Sequence, residues 1–296
     1  MSLKILENVN LAKHTSWLIG GNADYFCQPV NMIELKMAYS EANKKNWPVT
    51  ILSGGSNVLI SDSGVRGLTI CLNKFAEITS EIKDGRIWIE CLSGTAKSEL
   101  LKIFLKQQLP PALFLAGIPG DVGGGVVMNA GVAEAFQPRE FMELVDWIEV
   151  LTDKNEIKRY LKTDLKISYR HCDGWQPGLV TKVGISWPLQ PDSNVLVKVR
   201  EANKVRLSKQ PLDKPSCGSV FRNPEGHKAA QLIDQCGLKG FTRGDAQVSL
   251  KHANFIVNLG NATANDTWNV ILHVQKTVAE MKSVKLVTEV VRLGQW

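Results

Sequence analysis

Two glycine-rich turns hold the residues of this chain best suited to chemistry. The first runs through Ser53, Gly54, Gly55, Ser56 and Asn57 into Val58 and Leu59. The second runs through Gly117, Ile118, Pro119, Gly120, Asp121, Val122, Gly123, Gly124 and Gly125, with Asn129, Ala130 and Gly131 close behind. Glycine lets the main chain approach an anion closely and adopt positive φ, so consecutive N–H groups can converge on phosphate oxygens. Ser56 and Asn57 can add side-chain contacts. Both turns read as backbone cradles for a phosphorylated cofactor. Neither fits G-x-x-x-x-G-K-[ST] or G-x-G-x-x-[GA], so P-loop and Rossmann readings lose their main support.

The elements around the turns follow from periodicity. Asn31 and Glu34 have capping-box spacing, and Met32, Leu35, Ala38 and Ala42 repeat at helical intervals behind them. Val49–Leu52 and Asn57–Ile60 flank the first turn as strands, unlike the strand-to-helix passage of a Rossmann site. Ile87–Leu92 alternates as a half-buried strand and precedes a helix from about Ala96 to Gln108, which Thr95 can cap. Strands are expected at Val145–Leu151 and Leu179–Ser186. Trp187–Asn194, with two prolines, suits a connector. Beyond it, helices are expected over Lys198–Lys209, over Lys228–Cys236 ending at Gly237, and over Ala264–Met281 with Thr263 and Asp266 at its N-terminus. The fold class is α+β, with the phosphate turns in the first two thirds and a separate compact unit in the last third.

Bulk properties narrow the function. The 296 residues are 44% hydrophobic and 22% charged, as expected of a soluble globular protein of two or three domains. No apolar run reaches the roughly 18 residues of a membrane span, and the N-terminus lacks a signal-peptide core, so a cytoplasmic location is expected. Net charge is +6, but the basic residues are scattered, which favours small anions over a nucleic-acid surface. Cys27, Cys71, Cys91, Cys172, Cys217 and Cys236 form no C-x-x-C pair, so most are expected to be reduced and buried. His14, His171, His227, His252 and His273 show no ligand spacing, and no metal site is expected.

Several segments in order resemble one family: Thr15–Tyr25, Gly54–Leu59, Ala116–Gly131, Tyr169–Arg170, Gly218–Pro224, Lys251–Asn258 and Glu289–Gly294. The series is similar to the UDP-N-acetylenolpyruvoylglucosamine reductases, flavoenzymes of peptidoglycan precursor synthesis, in their shorter subtype without the extra substrate-covering insert. The resemblance spans nearly the whole chain. It implies two FAD-binding subdomains, over residues 1–72 and 73–190, and a substrate-binding domain over 191–296, on the flavin-binding plan shared with vanillyl-alcohol oxidase. It also implies that NADPH reduces FAD and that hydride then passes from flavin N5 to C3 of the enolpyruvyl group of UDP-N-acetylenolpyruvoylglucosamine. Negative charge then develops at C2 and spreads onto the attached carboxylate. No nucleic acid, membrane or obligate protein partner is implied.

By the same resemblance, Ser219 is the proton donor to C2, and Arg170 and Glu289 are the other catalytic positions. A serine hydroxyl can protonate a carbanionic centre only in a dry site. A guanidinium offers planar donors that stay charged, suiting Arg170 to an enolate-like intermediate. Glu289 helps most if protonated, or if it orients Arg170 or the substrate. Tyr169, Asn223, Lys251 and His252 are further candidates for substrate contact. FAD is expected on Ser53, Gly54, Gly55, Ser56, Asn57, Val58 and Leu59, on Gly117, Ile118, Pro119, Gly120, Asp121, Gly123 and Gly124, and on Asn129, Ala130 and Gly131.

The chain departs from the family pattern in places. Asp121 stands where serine or threonine is usual, in the turn expected to meet pyrophosphate, where a carboxylate would be repelled unless it faces away or accepts from neighbouring N–H groups. Val287 replaces a glutamate, Asp245 a glycine, and Val132–Ala135 the customary small and aromatic residues. Two other functions share parts of the pattern: an FAD oxidoreductase acting on an alcohol or sugar, and a non-catalytic binder of flavin or nucleotide sugar.

Overall fold

The computed structural model describes residues 3–132 and 137–296, so Ala133–Ala135 of the departing loop lie outside the described residues. The chain divides into two compact units. One holds Phe26–Gly54 and Leu68–Lys204 with the N-terminal segment through Ile5; the other holds Leu6–Tyr25, Gly55–Gly67 and Val205–Trp296. Helices and mostly antiparallel sheets make both, and the fold is α+β.

The first unit is built on a five-stranded antiparallel sheet, in the order Ile78–Lys83, Arg86–Leu92, Gly178–Pro188, Val145–Thr152, Ile157–Leu161. Val183 sits opposite Cys91 on one side and Ile148 on the other, and all three are buried. Ile87, Ile89 and Cys91 alternate inward while Trp88 points out, as the period of two requires. Helix Lys97–Lys106 packs Leu100 and Phe104 against this core, followed by the short helices Pro111–Leu115 and Val122–Val127. Thr95, expected to cap the first of these, instead closes a turn. Its Oγ1 donates to the Glu77 carbonyl at 2.8 Å and accepts from the Glu77 N–H at 3.2 Å, and Ala96 is the N-cap residue. Helix Met32–Lys45 is capped as expected by Asn31, whose Oδ1 accepts from the Glu34 N–H at 2.9 Å. Glu34 reaches one residue further back, accepting from Val30 N–H. Strand Val49–Leu52 pairs in parallel with residues 68–71 and delivers the chain into the first glycine turn.

The second unit gathers N-terminal and C-terminal segments round one core that includes Trp17, Leu59, Val220, Phe221, Ile271, Val274 and Val278. Trp17 is nearly fully buried; its indole N–H donates to Ile256 carbonyl at 2.7 Å, and Asn258 Nδ2 donates to Trp17 carbonyl at 3.0 Å. Strand Val58–Ile60, after the first turn, pairs in parallel with Val291–Leu293. Helix Ala264–Lys282 carries the expected Thr263–Asp266 capping box, and Asp62 adds its carboxylate to the Ala264 and Asn265 N–H groups at 2.8 and 2.9 Å. Four exposed donors at that terminus thus find acceptors in side chains, as helix ends require. Helices Val195–Lys209 and Ala229–Gln235 match the remaining helical expectations.

Candidate active site

In the first unit, the Asp121 carboxylate is turned onto the end of the first glycine turn. Ser53 Oγ donates to Asp121 Oδ2 at 2.5 Å, and the Gly54 N–H also donates to it. Burial pushes the Asp121 carboxyl up, while these bonds and the Lys97 charge hold it down. Lys97 was not singled out by the sequence. It is almost fully buried, its Nζ donates to Pro119 carbonyl at 2.6 Å, and burial lowers it to about 8. Gly124 stands exposed, with no atom within 4 Å of the position a Cβ would take. A turn whose one carboxylate is tied down, and whose glycine is open, fits a phosphate group. Ile118 and Ala130 pack against the sheet core, and Gly123 donates its N–H to Ser93 carbonyl at 2.8 Å.

Gly131 holds Arg170 directly, and Asn129 reaches it through Glu140. The Arg170 guanidinium is buried, donates through Nη2 to Gly131 carbonyl at 2.9 Å, lies 3.8 Å from Glu140, and stacks over the Tyr169 ring at 4.7 Å. Asn129 is fully buried, and its amide donates to Glu140 Oε2 at 2.7 Å and to Ser168 carbonyl at 3.0 Å, while Oδ1 accepts from Met142 N–H at 3.1 Å. A Cβ on Gly131 would sit 2.7 Å from the Arg139 carbonyl and 2.5 Å from Arg170 Nη1, which favours glycine there. Arg170 itself takes φ +57°, a left-handed conformation that side chains rarely adopt. The guanidinium thus sits buried against Gly131, Glu140 and the Tyr169 ring, on a residue of positive φ.

In the second unit, the segments bearing Ser219 and Glu289 meet. The Glu289 N–H donates to Val220 carbonyl at 2.8 Å, and Phe221 bridges Thr288. Val220 N–H donates to Asn254 carbonyl at 2.9 Å, while the Asn254 side chain accepts from Phe221 N–H at 2.9 Å and donates to Phe221 carbonyl at 2.8 Å. Asn254 is buried, so these bonds fix the peptide immediately after Ser219. Burial, reinforced by the nearby Glu289 carboxylate, raises the Cys217 thiol well above its ordinary value. Asn57 Nδ2 donates to Glu289 carbonyl at 3.0 Å, and Val291 N–H donates to Asn57 carbonyl at 3.0 Å. Gly55 takes φ +58°, and a Cβ there would lie 2.0 Å from His14 carbonyl, so packing alone demands this glycine. Ser56 and Val58 are half-buried, and Leu59 is core.

The remaining candidates are dispersed within that unit. Asn223 Oδ1 accepts from Ala229 N–H at 3.0 Å at the start of its helix. Lys251 Nζ donates to Leu207 carbonyl at 2.6 Å and lines a cavity of about 300 Å³ with Leu207, Pro211 and Leu250. His252 accepts from Asn254 N–H through Nδ1 at 3.3 Å and meets Phe255 edge-on; burial, then the Lys239 charge, lowers its pKa. Among the described residues, no group of three His, Cys, Asp or Glu side chains could hold a metal ion.

Comparison with known proteins decides the family. Residues 23–160 match the FAD binding domain, and residues 210–293 match the C-terminal domain of UDP-N-acetylenolpyruvoylglucosamine reductase. The UDP-N-acetylenolpyruvoylglucosamine reductase of Listeria innocua is 39% identical over 294 residues, covering 99% of this chain and 96% of its own. The chain belongs to the UDP-N-acetylenolpyruvoylglucosamine reductase family. The Pediococcus pentosaceus member is also 39% identical, over 99% of this chain and 95% of its own. The crystal structure of UDP-N-acetylenolpyruvylglucosamine reductase from Thermus caldophilus superposes with a TM-score of 0.78 at 31% identity, covering 99% of both chains. Against this family background, Lys97 and Asn254 are the residues the sequence reading missed. Asn254 lay inside a quoted motif, but only the fold shows its amide closing on Phe221. Lys97 carried no signal except its position at the start of an amphipathic helix.

Proposed function

We infer that this chain is an FAD-dependent oxidoreductase that uses NADPH to reduce the enolpyruvyl group of UDP-N-acetylenolpyruvoylglucosamine, giving UDP-N-acetylmuramate for peptidoglycan synthesis. The observation that carries the reading is the junction of the Ser219 and Glu289 segments through Val220, in a chain that matches the family from end to end. Bound FAD supplies the hydride, received from NADPH, to C3 of the substrate.

The chain's own residues do the rest. Ser219 holds the proton for C2: its hydroxyl gives the proton as the C3–H bond forms and C2 gains negative charge, then recovers one from solvent after release. The rigid peptide after it keeps the hydroxyl at a constant place, which is where most of the value of an oriented acid lies. Arg170 stabilises the charge that spreads onto the substrate carboxylate. Glu289, close enough to act on the Cys217 thiol, orients substrate or shares a proton at C2. The main chain of Ser53–Leu59 and Gly117–Asp121, with Gly124 and Ala130–Gly131, holds FAD, while Gly123, its N–H on the Ser93 carbonyl, and Asn129, its side chain on Glu140, Ser168 and Met142, brace that set. Tyr169, Asn223, Lys251 and His252 contact the nucleotide sugar. The matches to an FAD domain over 23–160 and to a C-terminal domain over 210–293 support a separation of an FAD-binding part from a C-terminal substrate-binding part, and the finer bounds 1–72, 73–190 and 191–296 belong to the same reading. No described helix is long and apolar enough to cross a membrane, which suits action in the cytoplasm on a nucleotide-linked precursor.

The test separates the two half-reactions. Ser219→Ala is expected to keep flavin and its reduction by NADPH, and to lose at least a hundredfold in reoxidation by the enolpyruvyl substrate. Equal loss in both halves, or wild-type rates in both, would remove Ser219 from the proposed role.

A further inference from the structure

The second glycine turn contains a carboxylate, Asp121, and a buried lysine from the neighbouring helix, Lys97, packs against it; the proposed hydride and proton transfers use neither. Lys97 is 4% exposed, an unusual place for an ammonium, and its Nζ holds the Pro119 carbonyl at 2.6 Å. Its main chain is part of the same construction. Lys97 N–H donates to Gly120 carbonyl at 3.0 Å, Ala96 bridges Asp121, and Val122 N–H donates to Thr95 carbonyl at 2.9 Å. Residues 95–97 therefore run as a splint along residues 120–122. A Cβ on Gly125 would come 3.0 Å from Lys97 Cε, so the absence of a side chain there makes room for the lysine stem.

We propose that Lys97 is a positioning residue whose charge offsets Asp121, allowing a turn that carries a buried carboxylate to accept the FAD pyrophosphate. Asp121 uses its oxygens on Ser53 Oγ and the Gly54 N–H, joining the end of the first turn to the second. An uncompensated carboxylate in that place would repel phosphate and resist burial. The Ala96–Asp121 bridge and the Lys97 Nζ–Pro119 bond bring the ammonium within electrostatic reach of that carboxylate without a direct ion pair, and each charge favours the ionised form of the other. The two residues thus function together. Asp121 clasps the turns, and Lys97 removes the electrostatic penalty of that clasp. Taking away the lysine alone leaves a buried negative charge beside the cofactor's own.

This inference rests on the FAD reading above, and its test is a double-mutant cycle on apoprotein. Wild type, Lys97→Met, Asp121→Asn and the double variant are titrated with FAD by flavin fluorescence, and their thermal unfolding is followed without FAD. Lys97→Met is expected to weaken FAD binding at least tenfold when Asp121 is present and less than threefold in the Asp121→Asn background. The same pattern of rescue is expected in the apoprotein melting temperatures. Equal effects of Lys97→Met in both backgrounds would overturn the proposal, since a role in packing or in holding Pro119 alone would not depend on the charge at Asp121. Should Lys97→Met fail to fold, Lys97→Gln replaces it in the same cycle. A wild-type apoprotein that takes up no FAD would refute the cofactor reading, whereas the melting temperatures would still decide whether the two charges are coupled.

Discussion

Asn57 donates its side-chain amide to the Glu289 carbonyl at 3.0 Å and accepts the Val291 N–H on its own carbonyl at 3.0 Å. The first glycine turn is thereby clasped to the segment that carries a proposed catalytic carboxylate. The amide that sequence reasoning assigned to phosphate is engaged with the protein. Asn57→Ala should therefore cost about 1–3 kcal/mol of unfolding free energy, through a partner left unsatisfied. It should slow substrate reduction more than it weakens FAD binding. Denaturant unfolding and flavin titration measure the two effects separately; a loss confined to FAD affinity would return Asn57 to the phosphate.

Gly131→Ala places a methyl 2.5 Å from Arg170 Nη1 and 2.7 Å from Arg139 carbonyl, so both the guanidinium and the Arg139 main chain must give. The guanidinium is the more mobile. Its displacement should lower the rate of enolpyruvyl reduction more than tenfold, while NADPH still reduces the flavin at close to the wild-type rate. Stopped-flow absorbance resolves the two steps, and unchanged reoxidation would show that this contact does not position Arg170 for the reaction.

Asn254→Ala removes two side-chain hydrogen bonds to Phe221 from a buried place. The expected cost is about 2–4 kcal/mol of stability, two buried main-chain groups losing their partner. Because Ser219 lies two residues before Phe221, kcat should fall further than the population of folded protein accounts for. The comparison of kcat per folded molecule with the unfolding curve checks this; activity that tracks folding alone would make Asn254 purely structural.

His252 gives a pH dependence. Burial depresses its folded pKa below 6.5, with Lys239 adding to the effect. The unfolded state then binds more protons in the interval below 6.5, so the contribution of neutral His252 is present above 6.5 and is lost as pH falls through the folded pKa. The ring is expected to be uncharged at neutral pH, able to hydrogen-bond a diphosphate but not to pair with it as a cation. His252→Gln should flatten the fall in stability below pH 6.5. An imidazole titration followed by NMR that gives a value above 6.5 would reverse the assignment.

Much of the fold was legible because it is written in local patterns. Asn31, Thr263 and Asp266 announce helix starts by side chains that reach only three residues, and Ile87–Leu92 announces a strand by alternation. Thr95 misled because the same hydroxyl that caps a helix also closes a turn, and Glu77, eighteen residues away in sequence, was the better partner. Gly55 and Gly131 have the look of phosphate glycines, whereas in the fold their close neighbours are His14 for Gly55 and Arg139 and Arg170 for Gly131. Glycine marks close approach, and the sequence does not say to what. Lys97 and Asn254 were illegible for the same reason: a buried lysine looks like any helix lysine until the carbonyl of Pro119 is found beside it.

The most direct test is the visible spectrum of the purified protein, followed anaerobically through addition of NADPH and then of UDP-N-acetylenolpyruvoylglucosamine. The expected record is an oxidised-flavin spectrum that bleaches with NADPH and returns, at one equivalent, with the nucleotide sugar. A protein that neither carries nor takes up FAD, or a reduced flavin that the nucleotide sugar leaves bleached, would contradict the account.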